Sequence, residues 1–268
     1  MRLLIELEVM FFFEACVFMR IALKFAYDGH NFHGYARQPG LKTAEGEIIS
    51  ILVREEYIKN AKESMFRSSS RTDKGVSALG NVIAFNTDKP TNNILKQINT
   101  KTEEILFYGI KEVEPDFYPR YAKQRIYRYY LKNNGYNTDK LISVASLFTG
   151  THDFTNFARV EEGKNPERTI DNIVVGENKQ FFTIDFYAQT FLWHQIRRII
   201  SAIEKTATGK INEEQIIDAL NKPELGVDYG VAPPEPLILK EIIYQFNFER
   251  NNLYLKLKMF EDKIIKNI

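Results

Sequence analysis

The chain is nearly without cysteine, tryptophan and net charge, and each shortage excludes something. One cysteine, Cys16, among 268 residues excludes an intrachain disulfide and accords with a reducing compartment. That cysteine and the four histidines, His30, His33, His152 and His194, show neither HxxxH nor CxxC spacing, so no zinc motif is expected. There is no Walker-type phosphate loop and no GxGxxG, which argues against a nucleotide or dinucleotide cofactor, and no GxSxG nucleophile elbow. A net charge of +1 counts against a protein that holds nucleic acid by bulk charge, so any such function must rest on local clustering. Long hydrophobic runs are missing too. "MRLLIELEVMFFFEACVF" is apolar but broken by Glu6, Glu8 and Glu14, too short between charges to span a bilayer and without a signal-peptide core or cleavage site. Met19 begins a clean new pattern. Residues 1–18 are therefore expected to be an upstream extension, the alternative being an extra helix or strand packed on the domain.

What is present is ordinary globular material: 44% hydrophobic and 26% charged residues, with 14 Tyr and 20 Phe. This length allows one large domain or two moderate ones and buries a full core unaided. Residues 20–27 alternate as a half-buried strand. The loop "DGHNFHGYARQPG" follows, long enough to suggest binding. A helix is expected over 43–59 with Thr43 as N-cap, a strand at "NVIAFNT", a short helix over 91–99 capped by Thr91, and strands over 104–113 and 120–132. Helices are expected over 139–148, 151–158 and 191–207, another from Asn212, and strands near 169–177, 180–188, 237–246 and 252–259. The order predicts an α+β architecture with a largely antiparallel sheet and helices on one side. The best boundary lies at Gly135–Thr138, giving halves 19–134 and 135–268.

Three stretches could carry chemistry. "SSSRTDKGVSA" sets Asp73 between Arg71 and Lys74, just before Gly75; alone it reads as a polar turn. Phe117–Thr138 carries Arg120, Lys123, Arg125, Arg128 and Lys132, no acidic residue, and seven interleaved aromatics. Cations neutralise phosphate and rings stack on unpaired bases, so the mixture suits RNA, though a sheet-edge strand with solvated cations fits equally. On a strand Arg125, Tyr127, Tyr129 and Leu131 share one face, and Ile126, Arg128 and Tyr130 the other. In "FLWHQIRRIISAI" a helical projection gathers Leu192, Trp193, Ile196, Ile199, Ile200 and Ile203 into an apolar arc. Arg198 falls opposite, expected to be solvated, and Arg197 at the arc's margin. Arg197 either snorkels or holds a buried carboxylate.

These residues match a family. The chain resembles the TruA-type tRNA pseudouridine synthases, in an archaeal-like form. "SRTDKGVSALGNVIAF", "YDGHNFHGYARQ", "KTAEGEI", "RIYRYY", "GTHDFTNF" and "FLWHQIRRI" follow the family's motifs in the same order, over nearly everything from Met19 to about residue 240. The resemblance implies the pseudouridine synthase fold: two similar α/β halves sharing a largely antiparallel mixed sheet, flanking helices and a central RNA-binding cleft. It implies a cofactor-free, metal-free isomerase in which Asp73 is the catalytic aspartate and Arg197 its partner. Tyr127 would pack on the target base, and Arg71 would fill the space that base leaves. Arg37, Lys74, Arg120, Lys123, Arg125, Arg128 and His194 are the candidate RNA contacts. The implied partners are the tRNA anticodon arm, with uridines 38–40 as targets, and a second copy in a homodimer; the implied location is the cytoplasm. The alternatives are a non-catalytic tRNA-binding protein and a synthase acting on other RNA uridines. Ser70, Lys74, Ser77, Tyr35-Ala36, Asn81 and Gln195 depart from the family pattern.

Overall fold

The alternation that begins at Met19 becomes strand β1, Met19–Tyr27, in a computed structural model that describes residues 18–250 and 253–268. The expectations for residues 1–17 lie outside the described residues. Four more strands of the sheet follow in the first half of the chain: β2, Arg67–Ser68; β3, Ser77–Thr87; β4, Ile105–Val113; β5, Gln124–Lys132. The small hairpin strands β6, Gly150–Asp153, and β7, Glu167–Ile170, pair only with each other. Strands β8, Asn172–Glu177, β9, Phe181–Ala188, β10, Leu237–Ile243, and β11, Glu249–Arg250, complete the set. Among the described residues nine strands form one sheet in the order β11-β4-β1-β3-β10-β5-β9-β8, with β2 on β3. All pairings are antiparallel except β3 with β10, where Ser77 and Ala78 face Ile238 and Leu239. That parallel junction joins the sheet's two halves, and β5 sits in the second, between β9 and β10.

Five helices cover one face: α1, Ala44–Arg54; α2, Ile94–Asn99; α3, Thr138–Ser146; α4, Gln195–Ala207; and α5, Glu213–Asn221. Their apolar stripes meet Ile21, Leu23, Phe25, Phe107, Tyr127, Tyr129, Phe182 and Ile184 in one core. Two of the expected caps form: Thr43 accepts from Gly46 N–H, and Asn212 with Gln215 makes a full capping box. The expected Thr91 cap does not: α2 starts after Asn93 without a side-chain cap, and the Thr91 hydroxyl turns to Met19 Sδ instead.

The remaining helix, α6, Tyr254–Lys266, covers the opposite face, where Leu257, Phe260 and Ile264 pack near Ala26, Tyr108, Tyr130 and Ile238. A strand was expected near 252–259; Leu253, Leu255 and Leu257 alternate as in a strand, but Leu253, Leu257, Phe260 and Ile264 lie on one helical face, and docking on the sheet selects the helix. Helices thus flank both faces. β1 is accordingly buried on both faces, not one: Arg20 bonds Phe117 C=O and the Asn86 side chain, and Lys24 pairs with Glu241. Residues 151–158 form a strand and a 3-10 turn in place of a helix, the turn started by Asp153 accepting from Thr155 N–H.

Candidate active site around Asp73

Asp73 stands at the head of a tight turn. Val76 N–H donates to Asp73 C=O at 3.1 Å, and the third residue, Gly75, has φ +86°, a conformation that suits glycine. The approach is held from several sides. Arg125 donates to the hydroxyls of Ser69 and Ser70 at 3.2 and 2.9 Å. The Asn81 side chain accepts from Ser70 N–H and donates to Ser70 C=O. Tyr27 and Thr72 share a hydroxyl contact of 2.6 Å, and Tyr35 N–H donates to Thr72 C=O. Beyond the turn the Ser77 hydroxyl accepts from Gly29 N–H at 2.9 Å; a Cβ at Gly29 would lie 2.5 Å from the Val76 backbone, so the two loops touch directly. Ser70, Ser77 and Asn81 therefore hold the backbone around the turn.

The Asp73 carboxylate meets the start of α4. Arg197 Nη1 donates to Oδ2 at 2.9 Å, and Arg197 Nε donates to Ala232 C=O at 2.8 Å. Trp193 Nε1 donates to Oδ1 at 3.1 Å, and His194 Nε2 lies 3.3 Å from Oδ2. Of the two readings open for the arginine at the margin of the apolar arc, the structure shows the one with a carboxylate partner. The arc itself is shorter than expected. α4 begins at Gln195 and not at residue 191, because Gln195 Oε1 accepts from Leu192 N–H and His194 turns left-handed at φ +61°. Trp193 is consequently 43% exposed at the rim instead of buried on the helix. Burial lowers the His194 pKa, an effect the Asp73 charge opposes.

Tyr127 lines the same region. Its ring meets Phe191 edge to face at 5.4 Å, and burial pushes its phenol up to about 12, so it stays protonated. Arg71 and Lys74 are exposed beside Asp73, and Arg37, Arg120 and Lys123 are exposed elsewhere on the surface. Arg125 and Arg128 do not belong with them. Arg125 is buried and spends its guanidinium on Ser69, Ser70, Arg120 C=O and Gln189 C=O; burial also lowers its pKa. Arg128, on the other face of β5, grips Asp185 with two bonds of 2.6 and 2.7 Å, which raise its pKa. The fold already engages the N–H donors of Arg125, and Asp185 already neutralises Arg128. Arg198, expected to be solvated, pairs with Asp228 at 2.9 Å.

Two side chains of the site were not singled out for it in the sequence. Trp193 was assigned to the core, and Arg159, 4.2 Å above its ring, drew no notice. The usable signal was the single tryptophan beside His194 and two residues from Gln195, a polar residue able to cap a chain turn. Among the described residues no group of three His, Cys, Asp or Glu side chains converges to hold a metal ion.

Residues 144–245 match a family model described as tRNA pseudouridine synthase. Proteins named tRNA pseudouridine synthase A are similar over most of their length. The one from Thermococcus sibiricus is 44% identical over 228 residues, 85% of each chain. The one from Pyrococcus furiosus is 41% identical over 253 residues, 92% of each chain. The one from Methanobrevibacter smithii is 37% identical over 244 residues, 84% of this chain and 83% of its own.

Proposed function

The chain belongs to the tRNA pseudouridine synthase family, and from that premise we propose that it isomerises uridine to pseudouridine in tRNA, with Asp73 as its catalytic carboxylate. The reaction breaks the uridine N1–C1′ bond, turns the base and joins C5 to C1′. C5 gives up its proton and N1 gains one, so atoms and electrons balance without a cofactor. Addition of the carboxylate to base or sugar, or its abstraction of a sugar proton, each requires an ionised aspartate reaching a base taken out of its stack.

The single observation that carries this reading is the Asp73–Arg197 pair. Two residues 124 positions apart meet at 2.9 Å on a carboxylate that remains 29% exposed, hence open to a substrate. Arg197 keeps a positive charge beside the carboxylate. Tyr127, a neutral ring, packs against the target base, and Arg71, exposed on the neighbouring turn, enters the space the flipped base leaves. Arg37, Lys74, Arg120 and Lys123 take phosphates. The targets are uridines 38–40 of the anticodon arm, and the enzyme works as a cytoplasmic homodimer.

Purified protein is incubated with unmodified tRNA transcripts, and pseudouridine is mapped by carbodiimide adduct formation and primer extension. The expected result is pseudouridine at positions 38–40. Pseudouridine elsewhere overturns the assigned positions, and binding of several tRNAs without conversion of any overturns the enzyme in favour of a binding protein.

A further inference from the structure

We propose that Trp193, held by Arg159, is a positioning residue that fixes the rotation of the Asp73 carboxylate; the proposal rests on the reading of Asp73 as the catalytic group. Arg197 alone constrains only Oδ2, and the carboxyl group can still swing about that one bond. The Trp193 indole N–H, 3.1 Å from Oδ1, ties the second oxygen as well. With both oxygens tied, the group presents a fixed edge to the open side of the site, the preorganisation that catalysis at a developing bond requires.

The placement of Trp193 is poor for burial and good for donation. An indole left 43% exposed gives up much of the apolar burial a large ring offers in a core. Its position is set by its neighbours. Arg159 N–H donates to Trp193 C=O at 2.8 Å, and the Arg159 guanidinium lies over the ring at 4.2 Å. No carboxylate among the described residues pairs with that guanidinium, so the ring face is its principal contact. The left-handed backbone of His194 ends the rim segment and starts α4, so the indole and Arg197 approach the carboxylate from one continuous stretch of chain.

Trp193 is the chain's only tryptophan, so tryptophan emission reports on this side chain alone. Steady-state kinetics of pseudouridine formation are measured for Trp193→Phe, which keeps a ring and loses the donor, and for Trp193→Ala and Arg159→Ala. The expected result is a kcat about tenfold lower in Trp193→Phe with KM for tRNA nearly unchanged, as for loss of one hydrogen bond to a charged group. Trp193→Ala should lose more, and Arg159→Ala about two- to fivefold. In the free protein, Asp73→Ala should alter the tryptophan emission. An unchanged kcat in Trp193→Phe overturns the proposal, as does a raised KM at constant kcat, which would make the indole an RNA contact. Unaltered emission in folded Asp73→Ala overturns it without reference to activity. Wild-type protein that forms no pseudouridine defeats the catalytic reading, while the emission result still decides whether the contact exists.

Discussion

Asp185 and Asp73 each accept hydrogen bonds from an arginine, and their surroundings differ at every other point. Asp185 is 8% exposed and has both oxygens filled by the single fork of Arg128, with Lys240 at 3.4 Å as a further cation. Asp73 is 29% exposed and receives one donor per oxygen, from Arg197 and Trp193. A bidentate fork occupies one edge of a carboxylate, and here Lys240 and burial close off the rest. Separate donors orient a carboxylate and leave an edge uncovered. Both pairs are arginine–aspartate contacts of 2.6–2.9 Å. Exposure and the division of donors distinguish a group that ties two strands together from one that can react.

Substitutions at four residues sharpen the contrast. Asp73→Asn should lower pseudouridine formation by about 10³-fold or more while the protein stays folded and binds tRNA, read as tritium release from uridine labelled at C5. Arg197→Ala should cost about 10²-fold in the same assay. It should also lower the melting temperature, because Ala232 C=O and Asp73 both lose a donor. Asp185→Asn should cost about 2–3 kcal/mol of stability in urea unfolding, below the full cost of breaking a buried pair because Arg128 keeps one edge in water. Turnover per folded molecule should persist. Tyr127→Phe keeps the ring and should change the rate least; Tyr127→Ala should be worse on both rate and stability, and the reverse order would contradict a packing role.

How legible these features were follows from how local their causes are. Thr43 and Asn212 announced helix starts because a cap is written within four residues. The faces of β5 followed from alternation alone, Tyr127 and Tyr129 entering one core and Tyr130 the other. The place of Arg197 at the margin of an amphipathic helix left it either snorkelling or holding a carboxylate, and only the fold brings Asp73 to it. What escaped was long-range. Nothing near Arg128 indicates that Asp185, 57 residues on, fills its fork, so a paired cation looked like a phosphate contact. Arg125 resembled an RNA-binding arginine until the strand was placed beside the Ser69–Ser70 segment, which consumes it. α6 shows both periods at once in Leu253, Leu255 and Leu257, and only the exposed second face of the sheet decides between them. Trp193 belonged on an apolar arc until the Gln195 side chain capped Leu192 and delayed the helix.

The most direct test measures tritium release and thermal unfolding on the same preparations of wild type, Asp73→Asn and Asp185→Asn. The account predicts a dissociation of activity from stability: Asp73→Asn stays folded and is inactive, whereas Asp185→Asn melts lower and turns over normally per folded molecule. Substantial activity in folded Asp73→Asn would contradict the assignment of Asp73 as the catalytic carboxylate.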